Sequence, residues 1–194
     1  LASLGSTYVR VAGIFELAGW DAAAGVQMWS GSSAVANPLG GAPVATAETK
    51  ATAVDGQMQG QLGNMPVGFY VSYATAPGVA AAAPVGNAYN TYSDNLGVVT
   101  NGTATKSSLN VSGEVGVLPE KATLGAAIRF GRSGDGKTDN AIMLTGTYKI
   151  AQNMLASMSF TSASGSYWYS NAAGTGTTDK IGNTTYTINL FSAF

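Results

Sequence analysis

The 194-residue chain carries charge on only 10% of its positions, against roughly 25% in an ordinary soluble domain, while glycine, at 26 residues, runs near twice its usual share. A net charge of −1 provides no basic face for a nucleic acid. With no cysteine and no histidine, the chain holds no disulfide framework, no thiol chemistry, no histidine-based triad, no Cys/His zinc site and no covalent haem attachment, which leaves Ser, Thr, Tyr, Lys and carboxylates as its catalytic vocabulary.

Alternation of apolar and polar side chains runs through the chain from its start. Val9, Val11, Phe15 and Leu17 oppose Tyr8, Arg10 and Glu16, and Val26 and Met28 oppose Gln27. Thr52, Val54, Met58 and Leu62 oppose Asp55, Gln57, Gln59 and Gln61, and Val67, Phe69, Val71 and Tyr73 oppose Gly68, Tyr70, Ser72 and Ala74. Over 106–118, Leu109, Val111, Val115 and Val117 oppose Asn110, Ser112 and Glu114; Leu124, Ile128 and Phe130 then oppose Gly125, Ala127 and Arg129. Ile142, Leu144, Tyr148 and Ile150 oppose Met143, Thr145, Thr147 and Lys149, and Met154, Met158 and Phe160 oppose Leu155, Ser157 and Ser159. With the terminal segment, where Tyr186, Ile188, Leu190 and Phe194 oppose Thr187, Asn189 and Ala193, this period of two predicts about nine strands between unlike environments. The most apolar stretch, Val67 to Val85, holds Pro66 at its border and Pro77 and Pro84 within, so it is poor material for a spanning helix.

The links between strands also alternate. Gly19–Ala22, Gly63–Pro66, Leu118–Lys121 and Ile150–Asn153 read as tight turns, while the links near 32–47, 77–105, 132–139 and 170–183 read as long loops rich in small and polar residues. One hairpin repeats in sequence, Gly60-Gln-Leu-Gly63-Asn-Met-Pro66 against Gly113-Glu-Val-Gly116-Val-Leu-Pro119. Trp20, Tyr148 and Phe194 fall at the tight-turn ends and Phe130, Tyr73, Tyr167, Trp168 and Tyr169 at the opposite ends, as two interfacial girdles would.

Short turns on one rim, long loops on the other and strands of bilayer length are the pattern of a transmembrane barrel. The closing segment ending on Phe194 resembles the C-terminal signal of Gram-negative outer-membrane β-barrels, with Ser192 departing from it. Asp139-Asn-Ala-Ile-Met-Leu-Thr-Gly-Thr-Tyr148-Lys-Ile-Ala-Gln-Asn153, followed by Leu190-Phe-Ser-Ala-Phe194, resembles the closing hairpins of proteobacterial porins. The hairpins at Met65-Pro66-Val-Gly-Phe-Tyr and Leu118-Pro-Glu-Lys-Ala-Thr-Leu-Gly are similar to those of porin-like proteins in methylotrophic and iron-oxidising Proteobacteria, some of which accompany or are fused to c-type cytochromes. That resemblance implies recognition by the barrel-assembly machinery through Tyr186, Ile188, Leu190 and Phe194.

One motif points elsewhere. Gly131-Arg-Ser-Gly-Asp-Gly136-Lys137-Thr138 spells a phosphate-binding loop after a strand, but such a loop must open a helix, and the alternating Asn140-Ala-Ile-Met-Leu-Thr-Gly that follows is strand material. The expectation is a coincidence of letters in a glycine-rich connection.

The chain is therefore expected to be all-β, an antiparallel up-and-down transmembrane barrel forming a single domain over 1–194. The parity of nine strands makes it the C-terminal portion of a longer, even-stranded one. The expected function is that of a porin in the bacterial outer membrane, surrounded by lipid, passing small hydrophilic solutes without a reaction. Arg10, Glu16, Asp55, Gln57, Glu114, Arg129 and Lys149 are the candidate pore-lining residues, because each lies on the polar face of its strand. Each could equally brace the wall by pairing across strands. Two other readings stand beside this one: a barrel sheath for a separate multihaem cytochrome, and a soluble or filament-forming β-protein. Partners compatible with the barrel are further copies in a homotrimer or such a cytochrome.

Overall fold

A computed structural model describes residues 3–35, 45–80, 86–93, 99–166, 169–170, 179–180 and 184–192. In chain order the strands are β1 (Ser3–Leu17), β2 (Trp20–Val35), β3 (Ala45–Glu48), β4 (Ala51–Leu62), β5 (Met65–Ala76), β6 (Thr91–Ser93) and β7 (Val99–Asn101). They continue with β8 (Lys106–Leu118), β9 (Ala122–Arg132), β10 (Thr138–Ala151), β11 (Met154–Ser164), β12 (Tyr169–Ser170), β13 (Asp179–Lys180) and β14 (Thr184–Ser192). Nine of them follow one another across a single up-and-down sheet, in the order β1-β2-β4-β5-β8-β9-β10-β11-β14, with β3 beside β2 as its tenth member. All the pairings between these strands are antiparallel. The pairs β6–β7 and β12–β13 form separate two-stranded sheets in the loops.

The turns lie where the expected rims put them, with shifted bounds. Leu17 pairs with Trp20, so the first turn is Ala18–Gly19 rather than Gly19–Ala22, and both its residues have positive φ, 54° and 80°. That is the type I′ geometry whose twist suits a two-residue hairpin. Gly63, at φ 64°, takes the first corner of the 63–64 turn.

The repeated hairpin sequence is not a repeated structure. Gly116 still belongs to β8, a register shift between Gly116 and Leu118 absorbs one residue, and the left-handed corner falls on Glu120 at φ 60°. Pro119 fixes its own φ near −65° and so moves the corner one residue on. The opposite rim also differs from expectation. The link near 132–139 contracts to 133–137, a hairpin loop, and β2 runs on to Val35 where β3 pairs back on it.

Because residues opposite one another on a ladder share a face, the register fixes the two surfaces. One surface holds Val11, Val26, Val54, Tyr73, Leu109 and Phe130 in one row and Val71, Val111, Ile128 and Ile142 in another. Among the described residues the buried apolar side chains are Ala22, Ala76 and Ala163, whereas Val11, Tyr186, Ile188 and Leu190 are 70%, 75%, 83% and 64% exposed. No second layer covers this face, and a single sheet with its large apolar groups outward has no core of its own. At its turn rim Trp20 lies over Gly60, where a Cβ would meet the ring, and stacks on Phe69 with centroids 6.2 Å apart. Tyr148, opposite Ala122 and Ala156, sits on the same rim, and Tyr73 and Phe130 near the other. Phe194, Tyr167, Trp168 and the side chain of Tyr169 lie outside the described residues. No described helix is long and apolar enough to cross a membrane.

Candidate functional site

The other surface is polar, and the register arranges its charges in rows. Arg10, Glu16, Asp55, Gln57, Glu114, Arg129 and Lys149 all fall on it. Toward the turns, Glu16, Asp21, Gln59, Gly68, Glu114, Gly125, Thr145, Ser159 and Thr187 stand opposite one another in unbroken succession from β1 to β14. Three carboxylates and no base lie in this row. Glu16 directly faces Asp21, a like-charge pair that is destabilising unless water or a counter-ion separates them.

Farther from the turns, two adjacent rows carry ion pairs on their diagonals. The Arg10 guanidinium donates to Asp55 Oδ2 at 3.2 Å, and Gln27 Nε2 donates to Asp55 Oδ1 at 2.8 Å. This contact reaches from β1 to β4 across Gly25 of β2, where a Cβ would sit 3.0 Å from Asp55 Oδ2 and 3.3 Å from Arg10 Nη2. The glycine is the gap through which the pair closes. On β9 and β10, Arg129 Nη2 donates to Asp139 Oδ1 at 2.7 Å, while its Nε is buried without an acceptor among the described residues. Both pairs are part-exposed, so each contributes at most about 1 kcal/mol to stability. Their larger effect is to hold charge at fixed points on the polar face. Between acid row and ion pairs, Tyr70 leans over Gly68, donates to Glu114 Oε1 at 2.7 Å and accepts from Gln59 Nε2 at 3.1 Å.

Loop segments fold over the far end of this face. Tyr89 packs on Trp29 at 5.8 Å, and Trp29 on Tyr8 at 4.7 Å, the latter two standing opposite one another on the polar face. Two fully buried asparagines fasten the segment. Asn87 Nδ2 donates to the carbonyls of Lys50 and Pro77, and its Oδ1 accepts from the amides of Lys50 and Tyr89. Asn90 Nδ2 donates to the carbonyls of Ala76 and Ala104 at 3.0 and 2.8 Å. Backbone bonds from Glu48 to Gly86, Ala88 to Glu48 and Ala104 to Gly134 join three connections into one cap over the rim.

The phosphate-loop letters fall on the β9–β10 hairpin. Gly131 and Arg132 end β9, Thr138 begins β10, and the Lys137 ammonium lies 3.1 Å from Asp135 Oδ2. No helix follows to aim amides at a phosphate. Lys137→Ala is accordingly expected to leave the protein's function unchanged; saturable ATP binding lost in that variant, measured by calorimetry, would overturn this reading. Burial pushes the Asp135 carboxyl up, but the Ser133 hydroxyl, the Lys137 amide and the Lys137 ammonium outweigh it and hold the group below its usual range. A depressed carboxylate contributes stability above its unfolded-state pKa and loses it as the pH falls through the folded value. The 133–137 turn is therefore expected to stay closed through the ordinary aspartate range and to open only below it, as read by amide exchange of Lys137.

Sequence reasoning missed Asp21, Asp139 and Lys106. Asp21 shares the parity of Gln27 but was placed in the turn, and Asp139 was placed in the 132–139 link. Extending each strand to its last alternating residue would have found both.

No protein-family model matches the chain, and no curated protein matches it. Among solved structures, OmpT of Vibrio cholerae, an outer membrane protein folded in vitro, superposes on 96% of this chain with a TM-score of 0.52 at 12% sequence identity. The chain spans 55% of that protein's length. The likeness is one of fold: an antiparallel sheet of the outer-membrane β-barrel kind.

Proposed function

We propose that the chain forms the wall of a porin-type channel in the bacterial outer membrane, through which small hydrophilic solutes diffuse along the polar face. The observation that carries this reading is the division of one uncovered sheet into a continuous exposed apolar face and a face of ordered charges. Lipid satisfies the first and a hydrated lumen the second. The channel needs no reaction and no cofactor.

The same reading sets how the barrel closes. β1 and β14 each have one partner in the main sheet among the described residues, and both run from the loop rim toward the turn rim. Two edges pointing the same way cannot zip together antiparallel, so closure requires an odd number of further strands, which makes the total even. We assign those strands to a further part of the same protein.

The test uses the full-length native protein from outer-membrane fractions. Discrete conductance steps in planar bilayers are expected, with solubility only in detergent. A protein that stays monomeric in plain buffer overturns the reading, and stoichiometric haem absorbance in the purified complex replaces it with the cytochrome sheath. Phe194→Ser is expected to reduce the assembled fraction several-fold by heat-modifiable gel mobility, since the terminal aromatic is the feature most like the insertion signal.

A further inference from the structure

At the loop rim the polar face encloses a cavity of about 570 Å³, within the range of small-molecule sites. Its charges do not balance. Lys106 and Arg129 line it from the polar face against a single carboxylate, Asp139, which Arg129 already engages; Arg132 borders it, but stands opposite Ser107 and Thr138 in the parity of the apolar face. Lys106 has only the Thr91 carbonyl at 3.5 Å, and neither it nor Arg132 has an ion pair among the described residues. The other nearby carboxylates are occupied, Asp135 by Lys137 and Glu48 by Lys50.

The rest of the lining is uncharged, with Thr91, Ser108 and Ser133 among it. Ala51, Ala74 and Ala76 form a floor with no side-chain donor or acceptor. Tyr89 walls one side and is backed by Trp29. The asparagines that fasten the Tyr89 segment are buried, so this wall is held in place rather than free to collapse into the space.

We propose that this cavity binds a small organic carboxylate, its charged end held by Lys106 and Arg129 and its apolar body lying on the alanine floor against Tyr89. A guanidinium matches a carboxylate's two oxygens in a planar fork, and each charge-assisted bond is stronger than a neutral one. A bare inorganic anion would use the cations and leave the floor and ring unoccupied. A neutral solute would use the floor and leave the positive charge of Lys106 unanswered. An anion with an apolar body satisfies both. The inference rests on reading the polar face as a solute path, and it names the solute class that the mouth selects.

The test is calorimetric titration of the full-length protein in detergent with benzoate and, separately, with inorganic phosphate. Saturable benzoate binding is expected, with phosphate at least about tenfold weaker. Lys106→Gln should weaken benzoate about tenfold or more, by removing a charge-assisted bond. Ala74→Leu should weaken it by filling the floor with the cations intact. Lys121→Gln, in the turn at the opposite rim, should leave it unchanged. Benzoate binding unaffected by the Lys106 and Ala74 variants, or phosphate binding as tight as benzoate, overturns the proposal. Conductance is measured on the same preparations. A protein that conducts but does not bind benzoate defeats this inference and leaves the channel standing, whereas one that binds but does not conduct keeps the site and defeats the channel.

Discussion

Ile128→Arg and Leu144→Arg are each expected to remove most of the folded, heat-modifiable form of the protein. Ile128 stands opposite Val111 and Ile142, and Leu144 opposite Ala126 and Phe160, so each lies within the apolar face rather than at its margin. An arginine near the bilayer midplane costs about 2–4 kcal/mol. Against a net stability of about 5–15 kcal/mol, that is enough to shift assembly visibly. Ala127→Arg and Met143→Arg are the controls. Each lies one residue away and on the polar face, opposite the other across the β9–β10 ladder, and each is expected to insert normally. If the controls misfold while the Ile128 and Leu144 variants insert, inside and outside are exchanged, and the protein is a water-soluble β-fold whose apolar face is its core.

Arg129→Glu and Lys149→Glu should move ion selectivity toward cations, read as reversal potential under a salt gradient in planar bilayers. The two substitutions differ in their side effects. Lys149 has no side-chain ion pair among the described residues, so its reversal changes the field with little else. Arg129 lies 2.7 Å from Asp139, and Glu there sets two carboxylates against each other. Some loss of thermal stability is therefore expected at 129 and not at 149. The double variant Arg129→Glu with Asp139→Arg should restore the stability, because it re-forms the diagonal pair with its ends exchanged. Unchanged selectivity in both single variants would show that the polar face does not line the conducting path.

The charged rows give these substitutions a setting that charge counting does not. Three bases and three acids among the expected pore-lining side chains suggest a balanced lumen. The register instead places Glu16, Asp21 and Glu114 in one row toward the turns, with Lys149 beyond it, and puts Lys106 and the Arg129–Asp139 pair toward the loop rim. In a channel, charges fixed in this way act on a passing ion over a Debye length, about 8 Å at physiological salt.

The sequence by itself determined what is local. A period of two needs only neighbouring residues to declare it, so the nine main strands, the two faces and the position of all seven expected polar-face residues on one of them were legible from alternation alone. The tight turns were legible for the same reason, since Gly19 and Gly63 mark backbone corners that few other residues accept. Tertiary structure decided everything that depends on register between strands far apart in the chain. That Arg10 meets Asp55 is set by two ladders and by the empty space at Gly25, and nothing in either strand's own sequence names its partner. The fold of the long connections was equally hidden, because Asn87 and Asn90 look like ordinary loop residues until their amides find backbone carbonyls of Lys50, Ala76, Pro77 and Ala104. Alternation is enforced by each residue's immediate environment, whereas register and loop docking are settled only when the whole sheet satisfies its hydrogen bonds together.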